Sequence, residues 1–163
     1  MEEILNFKNS FEIIIPEKVT TPLVISSPHS GNYYPSCFFK MTNLSINELR
    51  SSEDCYIDEI FSTSSKIGAP LIKAIYSRTY VDLNREPYEL DPTMFKKKLP
   101  SYINTTSNRV LSGIGTIAKY SGNQKKIYKN KLDFNEIKNR INMIYYPYHQ
   151  NLKKLINNAI DKF

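Results

Sequence analysis

Apolar positions along this chain fall into short runs near its start and a long helical stripe at its end. Phe11-Glu-Ile-Ile-Ile15 and Pro22-Leu-Val-Ile-Ser26 are β-rich runs closed by Pro16 and Pro28, and they predict two strands. The second run delivers His29 to the carboxyl end of its strand, and Gly31-Asn-Tyr-Tyr-Pro35 then reads as a loop. Ser45-Ile-Asn-Glu48 and Ser51-Ser-Glu-Asp54 both fit a capping-box pattern, the second with Asp in place of Glu. The second box opens a predicted helix with Tyr56, Ile57, Ile60, Phe61 and Ile67 at helical spacing and Gly68 as its stop. Pro70–Tyr76 and Thr79–Leu83 are predicted strands. From Tyr88 to Lys131 the periodicity is weak, and Ile103–Tyr120 reads mainly as loop with short ordered pieces. Asp133-Phe-Asn-Glu136 is a third capping box, with Asp at the cap. It opens an amphipathic helix with Phe134, Ile137, Ile141, Ile144, Tyr145, Tyr148, Leu152, Leu155 and Ile156 on one face, interrupted by Pro147.

The order strand, helix, strand predicts an α/β fold, with a mixed or mostly parallel sheet and flanking helices. The length of 163 residues suits one domain over 1–163 with a core of its own. No stretch approaches the roughly 20 apolar residues of a membrane helix. Met1-Glu-Glu-Ile4 lacks the basic, apolar, small-residue order of a secretory leader, so a cytoplasmic protein with no membrane partner is expected. Cys37 and Cys55 form no CxxC motif and are read as two reduced thiols. The net charge of +6 would suit a nucleic-acid partner, but the lysines are spread along the second half. Lys96-Lys97-Lys98 is too short a run to mark a binding tail, so no nucleic acid is expected, and a basic binding protein stands as the rival class.

Three blocks concentrate the chemistry. His29, in a Pro-His-Ser-Gly turn after a predicted buried strand, could serve as a neutral nitrogen ligand for zinc or be structural. Glu53, Asp54 and Asp58 are the acidic partners, with Asp54 and Asp58 on one face of the predicted helix. Helix-dipole complementation would account for Glu53 and Asp54 but less well for Asp58, because aspartate is poor in a helix interior. Asn84-Arg85 could grip a substrate carboxylate, Arg85 with its bidentate fork; the alternative is an internal ion pair from Arg85 to Asp82, Glu86 or Glu89. Arg109 could hold a second carboxylate or be exposed, and His149 beside the last helix's apolar face reads as packing. Gly113-Ile-Gly115 is too short for a dinucleotide fingerprint, and no serine sits in a nucleophile elbow.

Together these blocks resemble the N-formylglutamate amidohydrolase (N-formylglutamate deformylase) family. The resemblance rests on Ser27-Pro-His-Ser-Gly31, Ser52-Glu-Asp54 with Asp58-Glu59, Gly68-Ala-Pro70 and the long run Tyr80-Val-Asp-Leu-Asn-Arg-Glu-Pro-Tyr-Glu-Leu-Asp91. Leu99-Pro100, Ser107-Asn-Arg-Val110, Gly113–Ile117 and Tyr146-Pro-Tyr-His149 extend it, so that it runs from about residue 22 to 150. It implies a zinc-carboxypeptidase-like (phosphorylase/hydrolase-like) α/β fold and metal-dependent cleavage of N-formyl-L-glutamate, a small acidic substrate, to formate and L-glutamate. It further implies a divalent metal, zinc, held by His29 and one or more of Glu53, Asp54 and Asp58. Asn84 and Arg85 would grip one substrate carboxylate and Arg109 the second. Family members are longer, with an Asp-Cys-His-Ser-like motif after the Tyr-Pro-Tyr-His helix that looks like the source of another metal ligand, and the general base also lies in that portion. The expectation is therefore a truncated, amino-terminal part of the family domain, with an incomplete metal site and no activity alone. Its alternative is half of a split enzyme completed by a second chain.

Overall fold

A computed structural model describes residues 9–163; the first residues, read above for a leader, lie outside them. Three strands form a mixed sheet in the order β1-β3-β2: β1 is Phe11–Ile14, β2 Ile25–Ser27 and β3 Leu71–Ala74. β1 runs antiparallel to β3, with Phe11 opposite Ala74. β2 runs parallel to β3, with Ile25 opposite Leu71. A parallel pair needs a long crossover, and the helical segments between β2 and β3 supply it. Those segments are α1 (Ser36–Phe39), α2 (Ile46–Arg50), α3 (Ile57–Ile60) and a 3₁₀ stretch over Phe61–Ile67. The chain continues through a 3₁₀ turn at Pro92–Met94, α4 (Asn108–Leu111) and α5 (Phe134–Arg140). A π-helical turn, Ile141–Tyr145, then leads into α6 (Tyr146–Lys162). The fold is thus mixed α/β, as expected, with strands shorter than the runs that predict them.

The caps explain where helices begin. Ser45 and Glu48 complete a reciprocal capping box at α2, as predicted. Asp133 caps α5 by accepting from the Asn135 N–H, but Glu136 turns away to Arg140, so the box there is half formed. Gly68 closes the 3₁₀ stretch at φ 79°, the left-handed conformation that glycine adopts at least cost. Pro147 has no N–H for the Met143 carbonyl; the π turn just before it takes up the interruption, and the helix continues.

Two predicted elements are replaced by turns. The serines of Ser51-Ser-Glu-Asp54 cap no helix: Ser52 Oγ accepts from Gly122 N at 2.8 Å and Ser51 Oγ from Asn123 N at 3.3 Å. The helix starts only at Ile57, after Tyr56 in a left-handed conformation, so Asp54 lies before it and shares no helix face with Asp58. Tyr56, Ile60, Phe61 and Ile67, the expected core face, stand exposed. Thr79–Leu83 is a turn because Ser77 captures it: Ser77 Oγ accepts from Thr79 N at 3.3 Å, and Ser77 O accepts from Tyr80 N at 2.9 Å. A local side-chain bond outcompetes β propensity there.

The core lies between the sheet and the last helix, with Phe38, Leu49, Ile72, Tyr80, Ile141 and Tyr148 fully buried. Each such side chain contributes about 1.5–3 kcal/mol through burial. The last helix buries Ile137, Ile141, Ile144, Tyr145, Tyr148 and Leu155 of its predicted face, whereas Ile156 remains exposed. Both cysteines are unpaired. No helix among the described residues is long and apolar enough to cross a membrane.

Candidate functional site

The two parallel strands deliver the site's residues to one end of the sheet, where open α/β sheets build ligand sites. β2 runs directly into Pro28-His29, and β3 runs through Tyr76 into Arg78–Asp82. A parallel bridge between Tyr33 and Tyr76 ties the two exits together. Gly31 permits this approach: a Cβ there would lie 2.2 Å from the Tyr76 carbonyl oxygen.

His29 is buried, and its Nε2 lies 2.8 Å from Asp82 Oδ1. Asp82, 3% exposed, also accepts from Asn84 N at 2.9 Å and from Arg78 Nη2 at 2.8 Å, with Arg85 Nη2 3.9 Å away. Burial raises the Asp82 pKa, but the hydrogen bond and charge of His29 and the charges of Arg78 and Arg85 outweigh it and hold the carboxyl below its ordinary value. An ionised Asp82 can only accept, so Nε2 carries the ring proton. Nδ1 faces Asp54 Oδ2 at 3.4 Å: with one ring proton it is an acceptor there, and with two it donates to Asp54. Asp54 is placed by its own N–H, which donates to the His29 carbonyl at 3.1 Å. Its Oδ1 lies 3.7 Å from Arg78 Nη1.

Two acceptors facing one another at this distance favour a cation between them, a proton or a metal. Zinc bonds nitrogen and oxygen at about 2.0–2.2 Å, so two ligands on its tetrahedron stand about 3.3–3.6 Å apart. The His29 Nδ1 and Asp54 Oδ2 spacing fits that edge. A carboxylate behind the ligand's other ring nitrogen, here Asp82, is the usual support for a metal-binding histidine. The pair offers two donors where catalytic zinc takes three from protein. Among the described residues no group of three or more His, Cys, Asp or Glu side chains is arranged to hold a metal.

The other predicted carboxylates are engaged elsewhere. Glu53 accepts from the Tyr34 hydroxyl and, at 3.0 Å, from Arg50 Nε. Asp58 meets Lys73 Nζ at 3.3 Å, a lysine that also pairs with Glu12. Arg85 turns toward backbone: its Nε donates to Ile114 O at 2.9 Å and its Nη1 to Asn84 O at 2.6 Å. Arg85 also borders Asp82 at 3.9 Å, which is the internal pairing anticipated, and it lies next to the exposed Asn84. Arg109 is half exposed, 4.0 Å from Glu89. His149 packs against Tyr145 with ring centroids 4.2 Å apart and also hydrogen-bonds the Leu83 carbonyl at 2.8 Å.

A cleft of about 300 Å³ opens beside the histidine, lined by Ser52, Asp54, Arg78, Asp82, Ile114 and Tyr120 among others. Arg78 escaped the sequence reading, and Asp82 entered it only as an ion-pair partner for Arg85. The available signal was their spacing: Arg78 and Asp82 stand four apart, just upstream of Asn84-Arg85.

Fold and site define a mixed α/β protein with a carboxylate-backed histidine at the carboxyl ends of two parallel strands. The chain belongs to the N-formylglutamate amidohydrolase family, whose model matches residues 21–163. It is similar to the crystal structure of N-formylglutamate amidohydrolase from Ralstonia eutropha JMP134, with a TM-score of 0.86 and 30% identity over 96% of this chain and 55% of that one. It also shares its fold with the gene product Atu2144 from Agrobacterium tumefaciens, with a TM-score of 0.66 and 15% identity over 95% of this chain and 52% of that one. The chain thus spans about half the length of these two structures. No curated protein matches it.

Proposed function

We propose that this chain carries part of a metal-dependent N-formylglutamate amidohydrolase site of the zinc-carboxypeptidase-like kind. The reaction is hydrolysis of N-formyl-L-glutamate: water adds to the formyl carbon, the C–N bond breaks, and formate leaves as the amine of L-glutamate takes up a proton. The observation that carries this reading is the His29 Nδ1 and Asp54 Oδ2 pair at 3.4 Å, with Asp82 fixing the ring from behind. His29 and Asp54 would hold a zinc ion, and Arg78 would steady the second oxygen of Asp54. Zinc, when bound, supplies Lewis acidity to the carbonyl and lowers the pKa of water. Asn84 and Arg85 would receive one substrate carboxylate, Arg85 after releasing its backbone contacts, and Arg109 would receive the second. This chain offers two donors where catalytic zinc takes three, so the third metal ligand and the general base would come from the part of the family domain that this chain does not span, and the chain alone would be inactive.

A second segment completing the site is supported by what lies beside β2, an edge strand of the sheet. An apolar groove of about 570 Å³ runs between Pro22, Val24, Ile156, Ala159, Ile160 and Phe163. Ile160 and Phe163 are 70% and 59% exposed, more apolar surface than a finished helix face leaves uncovered. The occupant is the remaining part of the family domain, since the Ralstonia eutropha protein has nearly as much chain again beyond the part matched.

Zinc titration and deformylase assay of the isolated chain test this reading. The chain is expected to bind zinc weakly, to lose that binding on His29→Ala and on Asp54→Asn, and to show no turnover. Asp54→Asn places an amide opposite Nδ1 and is expected to leave metal-free stability unchanged or slightly raised. Turnover abolished by His29→Ala would overturn the inactive state, and zinc binding indifferent to both substitutions would overturn the site.

A further inference from the structure

The last helix sends three aromatic side chains to the two segments that carry the site. Tyr148 Oη lies 2.8 Å from Ser26 Oγ on β2, three residues before His29, and donates to Ile72 O of β3 at 3.4 Å. Its neighbours reach the other segment. His149 Nε2 lies 2.8 Å from Leu83 O, and because a carbonyl only accepts, that nitrogen carries the proton. Tyr145 donates its hydroxyl to Arg85 O at 2.7 Å. Burial, with the neighbouring Tyr146, pushes the Tyr145 hydroxyl up to about 12, so it stays a donor across the neutral range.

These two contacts bracket Asn84. Leu83 O and Arg85 O belong to no strand or helix, and carbonyls in such a turn need partners from elsewhere. Here both partners come from one helix face: Tyr145 and His149 are four apart, and their rings pack against each other with centroids 4.2 Å apart, which restricts the direction of each. On the opposite side the segment is tied by Asp82 N to Thr116 O at 2.8 Å and by Asn84 N to Asp82 Oδ1 at 2.9 Å. Both donors sit at or just after the π turn, a departure from α geometry that recurs near functional sites.

We infer that Tyr145 and His149 are positioning residues, a two-point brace that sets the direction in which Asn84 and Arg85 are presented to a substrate carboxylate. The carboxylate role rests on the function proposed above; the brace rests on the two hydrogen bonds. Amide hydrogen exchange on the full chain separates the two. In Tyr145→Phe and His149→Leu, exchange at Asp82, Asn84 and Glu86 is expected to rise roughly tenfold while Ile72 and Ile25 stay protected. His149→Gln keeps a donor at the Nε2 position and is expected to restore protection. Unchanged exchange at residues 82–86, or a rise spread equally over the sheet, would overturn the brace. Calorimetric titration with glutarate, a simple dicarboxylate, then reads function: severalfold weaker binding in His149→Leu, rescued in His149→Gln, with zinc affinity unchanged. If the wild-type chain binds no glutarate, the carboxylate role fails, and the exchange result still decides the brace.

Discussion

Two clusters carry ionisable side chains into the interior: Arg140 with its partners, and His29 with Asp54, Asp82 and Arg78. Arg140 is 0% exposed, and its guanidinium is used almost completely. Nε donates to Glu136, Nη1 to Tyr80 O at 3.1 Å and to the Tyr128 hydroxyl at 2.7 Å, and Nη2 contacts Met41 Sδ at 3.3 Å. The Tyr80 ring lies under it, 3.9 Å from Cζ. One oxygen, Glu136 Oε2, is left buried without a partner. At His29 the ring is fixed just as firmly on the Asp82 side, and its other nitrogen faces Asp54 Oδ2 at 3.4 Å, beside a cleft that Asp54 and Asp82 line. A buried charge whose donors are spent on the protein's own groups holds a fold together. A buried imidazole backed by one carboxylate and facing a second beside a cleft is the arrangement on which the proposed zinc role rests.

If this contrast is right, the largest stability loss follows from Arg140. Arg140→Met removes the cation and leaves the Tyr80 carbonyl and the partly buried Glu136 carboxylate without their donor, at a cost of about 3 kcal/mol, the low end for breaking a buried pair. Urea denaturation measures it; a loss under about 1 kcal/mol would place Arg140 among dispensable surface charges. Asp82→Asn comes next, at about 1–3 kcal/mol, because it weakens a carboxylate that holds three donors: His29, Arg78 and the Asn84 N–H. It is also expected to weaken zinc binding about 10–100-fold, the usual cost of losing the support behind a ligand histidine. The pH dependence has a definite sign. The folded pKa of Asp82 lies below its ordinary value of 3.8, so its contribution is complete above that range and is lost as pH falls through the folded pKa. The stability gap between wild type and Asp82→Asn should be flat above about pH 5 and close on acidification; a gap that widened in acid would contradict an ionised Asp82.

The sequence made parts of this contrast legible and hid others for physical reasons. Three of the four predicted strands, the α2 capping box and the stripe of the last helix were readable because each is a local pattern: a short β-rich run, a cap, a period. The end of β2 pointed to His29, and the block around Asp82 to the segment that packs behind it. What could not be read is which acid meets the histidine. Glu53, Asp54 and Asp58 lie within six positions, and the predicted helix would have grouped Asp54 with Asp58. The serines at 51 and 52 are instead spent on the turn at Gly122 and Asn123, some 70 positions away, and that long-range contact moves Asp54 out of the helix and onto the His29 carbonyl. Arg140 was hidden for a related reason: the period of a helix marks the buried face but does not say that a charge upon it will find a tyrosine hydroxyl, a carbonyl and two rings.

The smallest effect separates Asp58 from Asp54. Asp58 pairs with Lys73, both partly exposed, and Lys73 keeps Glu12 at 3.4 Å as a second partner. A screened pair of this kind is worth about 0–1 kcal/mol, and with a substitute carboxylate at hand Asp58→Asn should lie at the low end. Because Asp58 neither touches His29 nor lines the cleft beside it, zinc binding should stay at the wild-type level. Chemical denaturation and zinc titration of Asp58→Asn beside Asp54→Asn give the pair its meaning. Indifference to metal in the first and loss in the second is the outcome expected if the backbone bond from Asp54 to His29, and not membership of an acidic cluster, selects the ligand. Equal loss of zinc in both variants would return all three acids to the same footing and remove the contrast with Arg140 at its metal-facing end.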